Sequence, residues 1–295
     1  MGYTHTATSY SSSSTPSSGS VGLRSIEGSI QHVDLNLLRN HSDLFDTMFT
    51  LPSPGDHRQV NSNHRTTVID VFEKDKTLKS TLGLLTGASI HWSSIEEVYP
   101  ILELVDKWDC HHLMRRIRDH LSTSRIPREQ SLRFFALAKY LGWTEEARTT
   151  SKYTLSVDFQ APEHAAILAQ IPTKDAQALI DLRRRRSSAF RKLLDSPTRF
   201  TGGNSSLYFC DTCCVAHPQD NLWLNFKKAL SAELARMPCG AKIVALTEGA
   251  GSWRESDACW AARCPTLGCE AMRFDRRATL LQIRHCVEQL PCFIE

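Results

Sequence analysis

The chain has 295 residues, 41% of them hydrophobic and 8% aromatic, the make-up of a globular protein with room for one large or two ordinary domains. Its net charge of +3 is too small to imply nucleic acid or an acidic membrane as partner, and no apolar run approaches the roughly 18 residues that span a bilayer. Ten cysteines without a secretory signal pattern point to a reducing, intracellular setting, cytoplasm or nucleus, where thiols stay free or bind metal.

Residues 1–24 contain the run SYSSSSTPSSGS, which cannot bury apolar surface and is expected to be a disordered tail. Order is expected from Ser25, where SIEGSIQHV supplies a short strand pair turning at Glu27 and Gly28. The next segment, QHVDLNLLRNHSDLFDTMFTLP, places Leu37, Leu38, Leu44, Phe45, Met48 and Phe49 at the spacing of helices facing a core. Asp34 and Ser42 are the expected N-caps. A polar loop, LPSPGDHRQVNSNHR, leads to TVIDVF (67–72), a β-branched run that reads as a strand. Asp75 then caps an amphipathic stretch with Leu78, Leu82 and Leu85.

Ser94 and Glu97 make a capping box ahead of the stripe Val98, Ile101, Leu102, Val105 and Trp108. Leu113, Ile117 and Leu121 recur at steps of four in a further helix. After the break at Ile126–Pro127, a helix over Leu132–Tyr140 ends at Gly142, and Thr144 caps the next, with Ala147 and Leu155 inward. Thr173 opens a long helix carrying Leu179, Phe190 and Leu194. Asp220 caps one with Trp223, Leu230 and Leu234, and the closing helix carries Leu281, Val287 and Leu290.

The segment Gln31–Pro52 resembles part of the BTB/POZ domain in its fungal form. The ordered series that follows extends the likeness over residues 25–155. SSIEEVYPILELVDKWDC is similar to a BTB helix, with Lys107, Trp108 and Asp109 at matching places, and SLRFFALAKYLGWTEEARTTSKYTL to the helices after the domain. Asp34 and Leu35 stand where the family has His and a basic residue, and the usual first strand is not expected ahead of the cap segment. That strand contributes to the family's homodimer interface, so the resemblance allows a homodimer without requiring one. It implies an α+β fold, a BTB/POZ-like helical cluster with a small sheet, followed by a mainly α-helical C-terminal region. The expected divisions are the tail (1–24), the BTB-like domain (25–122), post-BTB helices (123–200) and a Cys-rich helical region (201–295). The implied role is protein–protein interaction without catalysis, as adaptor for a cullin-type ubiquitin ligase or as scaffold among chromatin factors.

Nine of the cysteines lie between Cys210 and Cys292. Cys210 and Cys213 have the C-x2-C spacing that turns two thiolates toward one tetrahedral ion; Cys264 and Cys269 form a looser C-x4-C pair. Together the four are the candidate ligands of a structural zinc, and Cys214, His217, Cys239 and Cys259 are substitutes for any of them. The competing reading is a cluster of buried thiols. The run Arg183–Arg186 can be read as an import signal or phosphate stripe, and with the cysteines it supports an alternative function, a zinc-dependent nucleic-acid-binding regulator. Four consecutive arginines point around most of a helix, however, so the expectation is a packed helix with a solvated face. Cys110, His111 and His112 sit at a turn between helices, where polar residues are ordinary. No G-x-S-x-G, Gly-rich phosphate loop or H-E-x-x-H is present, and the chain is not expected to be an enzyme.

Overall fold

The computed structural model describes residues 19–51 and 67–295. Most of the expected Ser-rich tail and nearly all of the polar loop at 51–65 lie outside the described residues. The chain divides into two compact units at Ser124 and Arg125. The fold is mixed α+β, and among the described residues no helix is long and apolar enough to cross a membrane.

In the first unit, β1 (Ser20–Arg24) is the central strand of a three-stranded sheet, antiparallel to β2 (Ile30–Asp34) and parallel to β3 (Val68–Asp70). The expectation that residues up to 24 belong to a tail, with no strand ahead of Ser25, is therefore corrected. Val21 and Leu23 are buried, and Gly22 is what lets the flanking strands close. A Cβ there would stand 2.9 Å from Ile30 Cγ2 and 3.2 Å from Val68 Cγ2. The expected turn at Glu27–Gly28 joins β1 to β2, with Gly28 at φ +84°.

Helices α1 (Leu35–His41) and α2 (Asp43–Thr50) start where their caps predict. Asp34 accepts the N–H groups of Asn36 and Leu37, and Ser42 accepts that of Phe45. Ser42 Oγ also donates to the Trp108 carbonyl, and Phe45 meets the Trp108 ring edge-on at 5.1 Å. The apolar stripe is only partly inward, however: Leu38 and Phe45 are buried, whereas Leu44 and Met48 are exposed.

Helix α3 (Asp75–Leu85) is capped from a distance, since the Asp75 N–H goes to the Glu27 carboxylate at 2.8 Å. The Asp75 side chain instead binds Lys79, Ser29 and Gln31, contacts that hold its carboxyl below the ordinary range. Ser94 caps a 3-10 turn, Ile95–Glu97, and α4 (Tyr99–Lys107) begins just after it, with Pro100 in its first turn. Helix α5 (His111–Thr123) buries Leu113, Ile117 and Leu121, as its steps of four require.

In the second unit, α6 (Ile126–Glu129), α7 (Ser131–Tyr140), α8 (Thr144–Ser151), α9 (Pro162–Gln170) and α10 (Thr173–Leu194) follow the expected order. Thr144 and Thr173 are first helical residues, one position past the caps expected of them. Beyond α10 come α11 (Thr201–Asn204), β4 (Leu207–Phe209), β5 (Ala216–Pro218), α12 (Leu222–Arg236), α13 (Ala241–Thr247), α14 (Arg254–Ala261) and α15 (Arg276–Glu288). One core joins Phe190 and Leu194 of α10 to Trp223 and Phe226 of α12, Trp260 of α14 and Ile283 of α15. The division expected near residue 200 thus falls inside a single unit. In α15 the inward position is Leu280, and Leu281 is exposed.

The arginine run of α10 is largely turned inward. Arg186 is 3% exposed and donates to the carbonyls of Pro238 at 2.9 Å, Leu290 at 3.3 Å and Pro291 at 2.7 Å. Arg183 donates to the carbonyls of Thr154 and Val157 and lies 3.5 Å over the Phe159 ring. Arg185 pairs with Glu295, and Arg184, beside Asp181, stays in solvent. Burial pulls the Arg183 guanidinium down to about 10, still charged at neutral pH. Replacing Arg186 by Ala strands two buried carbonyls and a part-buried one, so Arg186→Ala is expected to cost about 2–4 kcal/mol. Arg184→Ala should stay within about 0.5 kcal/mol. Urea denaturation of the two variants checks the contrast.

Candidate metal centre

The four cysteines chosen by spacing converge. Sγ atoms of Cys210, Cys213, Cys264 and Cys269 all lie within 4.8 Å of one another. Cys210 and Cys269 are 3.7 Å apart, Cys213 and Cys264 3.6 Å. Four sulfurs bound at about 2.3 Å to one tetrahedral ion stand about 3.8 Å apart, so these separations suit a shared cation and are far too long for disulfides.

Two small turns present the sulfurs. The first joins β4 to β5, a hairpin that the expectation of a mainly helical region did not foresee. It closes through Cys210 N–H to Val215 O at 3.1 Å and Cys214 N–H to Cys210 O at 2.9 Å, with Cys214 at φ +55°. The second runs from Cys264 to Ala271. There Cys264 N–H bonds to Ala271 O at 2.8 Å, Arg263 and Met272 form an antiparallel bridge, and Gly268 supplies the left-handed residue at φ +78°. Pro265 fixes the backbone just after Cys264.

These turns aim amide N–H groups at sulfur. The Cys213 amide, with the Tyr208 hydroxyl, pulls the Cys210 thiol down to about 6. The Thr266 hydroxyl, 3.4 Å from Cys213 Sγ, is the chief cause of lowering at Cys213. At Cys269 the Ala271 amide favours the thiolate, but burial and the neighbouring sulfurs outweigh it and raise the thiol to about 12. Like charges so close cannot all ionise unaided; a divalent cation cancels the repulsion and takes all four as thiolates.

His217 stands beside the cluster, its Nε2 3.6 Å from Cys264 Sγ and 2.9 Å from Thr266 Oγ1. Its place is that of a group orienting the sulfurs, which sequence spacing had offered only as a ligand. Cys259 is buried in the helical core, where burial raises its thiol to about 12, and neither Cys214 nor Cys239 joins the four. A second convergence of ligand-type side chains, Asp43, Asp109 and His111 in the first unit, is exposed throughout, as charged groups on a solvated face ordinarily are.

Four protein thiolates leave a tetrahedral ion no open position, so the chemistry of such a centre is structural. Cys214 occupies a left-handed backbone position that suits glycine. Cys214→Gly is therefore expected to raise unfolding stability by about 0.5–1 kcal/mol, and Cys214→Val to lower it, as read from denaturant midpoints. The chain matches no protein-family model and no curated protein, which leaves its own side chains as the ground for a functional reading.

Proposed function

We propose that this is a non-catalytic protein-docking protein, with a BTB/POZ-like first unit acting as adaptor or scaffold and a second unit fastened by structural zinc. The observation that carries the zinc is the pair of sulfur separations, 3.7 and 3.6 Å, set on two turns whose amides point at the sulfurs. An all-cysteine tetrahedral set suits zinc among the common divalent ions. The docking role is supported by the ordered resemblance over residues 25–155. It is supported also by the exposed Leu44, Met48 and Leu51 on and just after α2, apolar surface of the kind that partners cover. The nucleic-acid alternative has no comparable support, because Arg183, Arg185 and Arg186 spend their guanidiniums on the chain's own carbonyls and C-terminal residues.

Purified protein is expected to carry about one zinc per chain by elemental analysis. Cys264→Ser should lose it, and Thr266→Val, which removes a hydroxyl held by Cys213 and His217, should weaken zinc binding by about tenfold. Reduced, folded protein that takes up no zinc when the metal is supplied would overturn the zinc reading. For docking, affinity purification from native cells followed by mass spectrometry is the test. Recovery of a cullin would identify an adaptor and recovery of chromatin factors a scaffold. The double variant Leu44→Asp, Met48→Asp is expected to lose the partner while remaining folded, since both side chains are exposed.

A further inference from the structure

The sulfur contacts of 3.7 and 3.6 Å both cross from one cysteine turn to the other, Cys210 to Cys269 and Cys213 to Cys264. Each pair joins a partly exposed thiol to a buried one. Cys213 and Cys269 are partly exposed, whereas Cys210 is 0% exposed and Cys264 6%. The partly exposed members sit at the rim of the cluster, Cys213 between exposed Thr212 and Cys214, Cys269 between exposed Gly268 and Glu270. A small oxidant arriving from solvent meets one sulfur of each pair and finds its partner behind it.

The two sulfurs of a pair are also close enough to bond. A disulfide holds its sulfurs about 2.05 Å apart, so each has to travel only about 0.8 Å from where it stands. Side-chain rotation covers that distance without opening either turn. Polar atoms flank the Cys213–Cys264 pair: Thr266 Oγ1 lies 3.4 Å from Cys213 Sγ and 2.9 Å from His217 Nε2, which is itself 3.6 Å from Cys264 Sγ. An oxygen carried on Cys213 therefore has hydrogen-bonding groups beside it.

We infer that the four cysteines are a thiol switch, in which hydrogen peroxide joins Cys213 to Cys264 and Cys210 to Cys269. In each pair the partly exposed sulfur attacks the peroxide. An S–O bond forms, the O–O bond breaks, and the far oxygen leaves with a proton as water. The buried sulfur then attacks the sulfenic sulfur. The S–S bond forms, the S–O bond breaks, and the second oxygen leaves as water. Per pair, two thiolates, one hydrogen peroxide and two protons from solvent give one disulfide and two waters, with two electrons passing from sulfur to oxygen. A disulfide has no thiolate left to hold a cation, so zinc leaves as the bridges form. The bridges span the same gap as the metal and keep the two turns joined. The release of metal rests on the zinc reading given above; the pairing of the sulfurs does not.

The test takes the full chain, loaded with zinc under reducing conditions and freed of reductant, into hydrogen peroxide. Released zinc is read with a chromogenic chelator, and bridges by fragmentation mass spectrometry of unreduced peptides. Loss of the bound zinc is expected together with Cys213–Cys264 and Cys210–Cys269 bridges, and a dithiol reductant with added zinc should reverse both. Cys214→Ser, which removes an exposed thiol outside the four, should leave the release and both bridges unchanged. Zinc retained through the oxidation, bridges within one turn (Cys210–Cys213 or Cys264–Cys269), or oxidation to sulfinic acid without a bridge would each overturn the inference. A chain that takes up no zinc would sink the zinc reading alone. Cross-turn bridges found in that metal-free protein would uphold the inference, and their absence there would overturn it.

Discussion

Cys213 and Cys264 are 51 residues apart in sequence and 3.6 Å apart in space. Closing a flexible loop of that length costs about 3–4 kcal/mol in chain entropy, and neither cysteine turn has a core of its own to offset it. Around the sulfurs, among the described residues, only Tyr208 joins Cys210 and Cys264 as buried. The closure is supplied by the helices between the turns. Phe226 of α12 meets Trp260 of α14 edge-on at 5.7 Å, within a core that also takes in Leu230, Leu234 and Cys259. Each large side chain buried there contributes about 1.5–3 kcal/mol, so the helical core has the means to bring the two turns together. The sulfurs then arrive at tetrahedral spacing because their carriers are already placed. A cation at that point relieves thiolate repulsion and locks an arrangement that the apolar packing has made.

The arginine row of α10 solves a different problem. Loops that end against a helix leave carbonyls out of reach of water, and each one left unpaired is costly. A guanidinium has five N–H donors in a fixed plane, so one buried Arg186 serves Pro238, Leu290 and Pro291 at once. A lysine, with a single compact ammonium, cannot span three acceptors set around one plane. The same row binds residues 154–157 through Arg183 and the C-terminal residues through Arg185. Ile294 adds an N–H to Ser151 Oγ at 3.1 Å. The end of the chain is thereby part of the fold of residues 125–295 and not an appendage to it.

What the sequence makes legible follows from how local each cause is. Helix α5 is plain because Leu113, Ile117 and Leu121 repeat without interruption, and α1 and α2 are plain because Asp34 and Ser42 cap within three residues. The strand Ser20–Arg24 is hidden because its place in the sheet depends on Gly22, whose smallness matters only to Ile30 and Val68. The cap of α3 is hidden for the same kind of reason, since Glu27 lies 48 residues upstream. Leu44 and Met48 mislead because helical spacing says which residues share a face and not whether anything covers it. The four cysteines were readable from C-x2-C and C-x4-C spacing, but the β4–β5 hairpin was not: three-residue strands carry no period to detect. The arginine helix is packed as expected and Arg184 is solvated, but the inward turn of Arg183, Arg185 and Arg186 was hidden, because a run of charge reads as surface until the groups it serves are known.

The sulfur cluster and the Gly202–Gly203 backbone that covers Trp223 are held by neighbouring residues, which ties their geometries together. Gln219, which holds Gly202 and Gly203 by their carbonyls, directly follows β5, the strand that leads away from Cys213 and Cys214. Arg273, which holds Gln219, directly follows Met272, the residue bridged to Arg263 at the base of the Cys264 turn, and its own N–H bonds to Ala262 O at 3.1 Å. Each cysteine turn therefore sends the next residue of its chain into this brace, and the two residues meet each other at 3.0 Å. The Arg273 guanidinium also lies 4.9 Å over Tyr208, whose ring stacks on His217 beside Cys264. The Arg273–Gln219 contact thus links the two cysteine turns to each other and to the support behind Gly203.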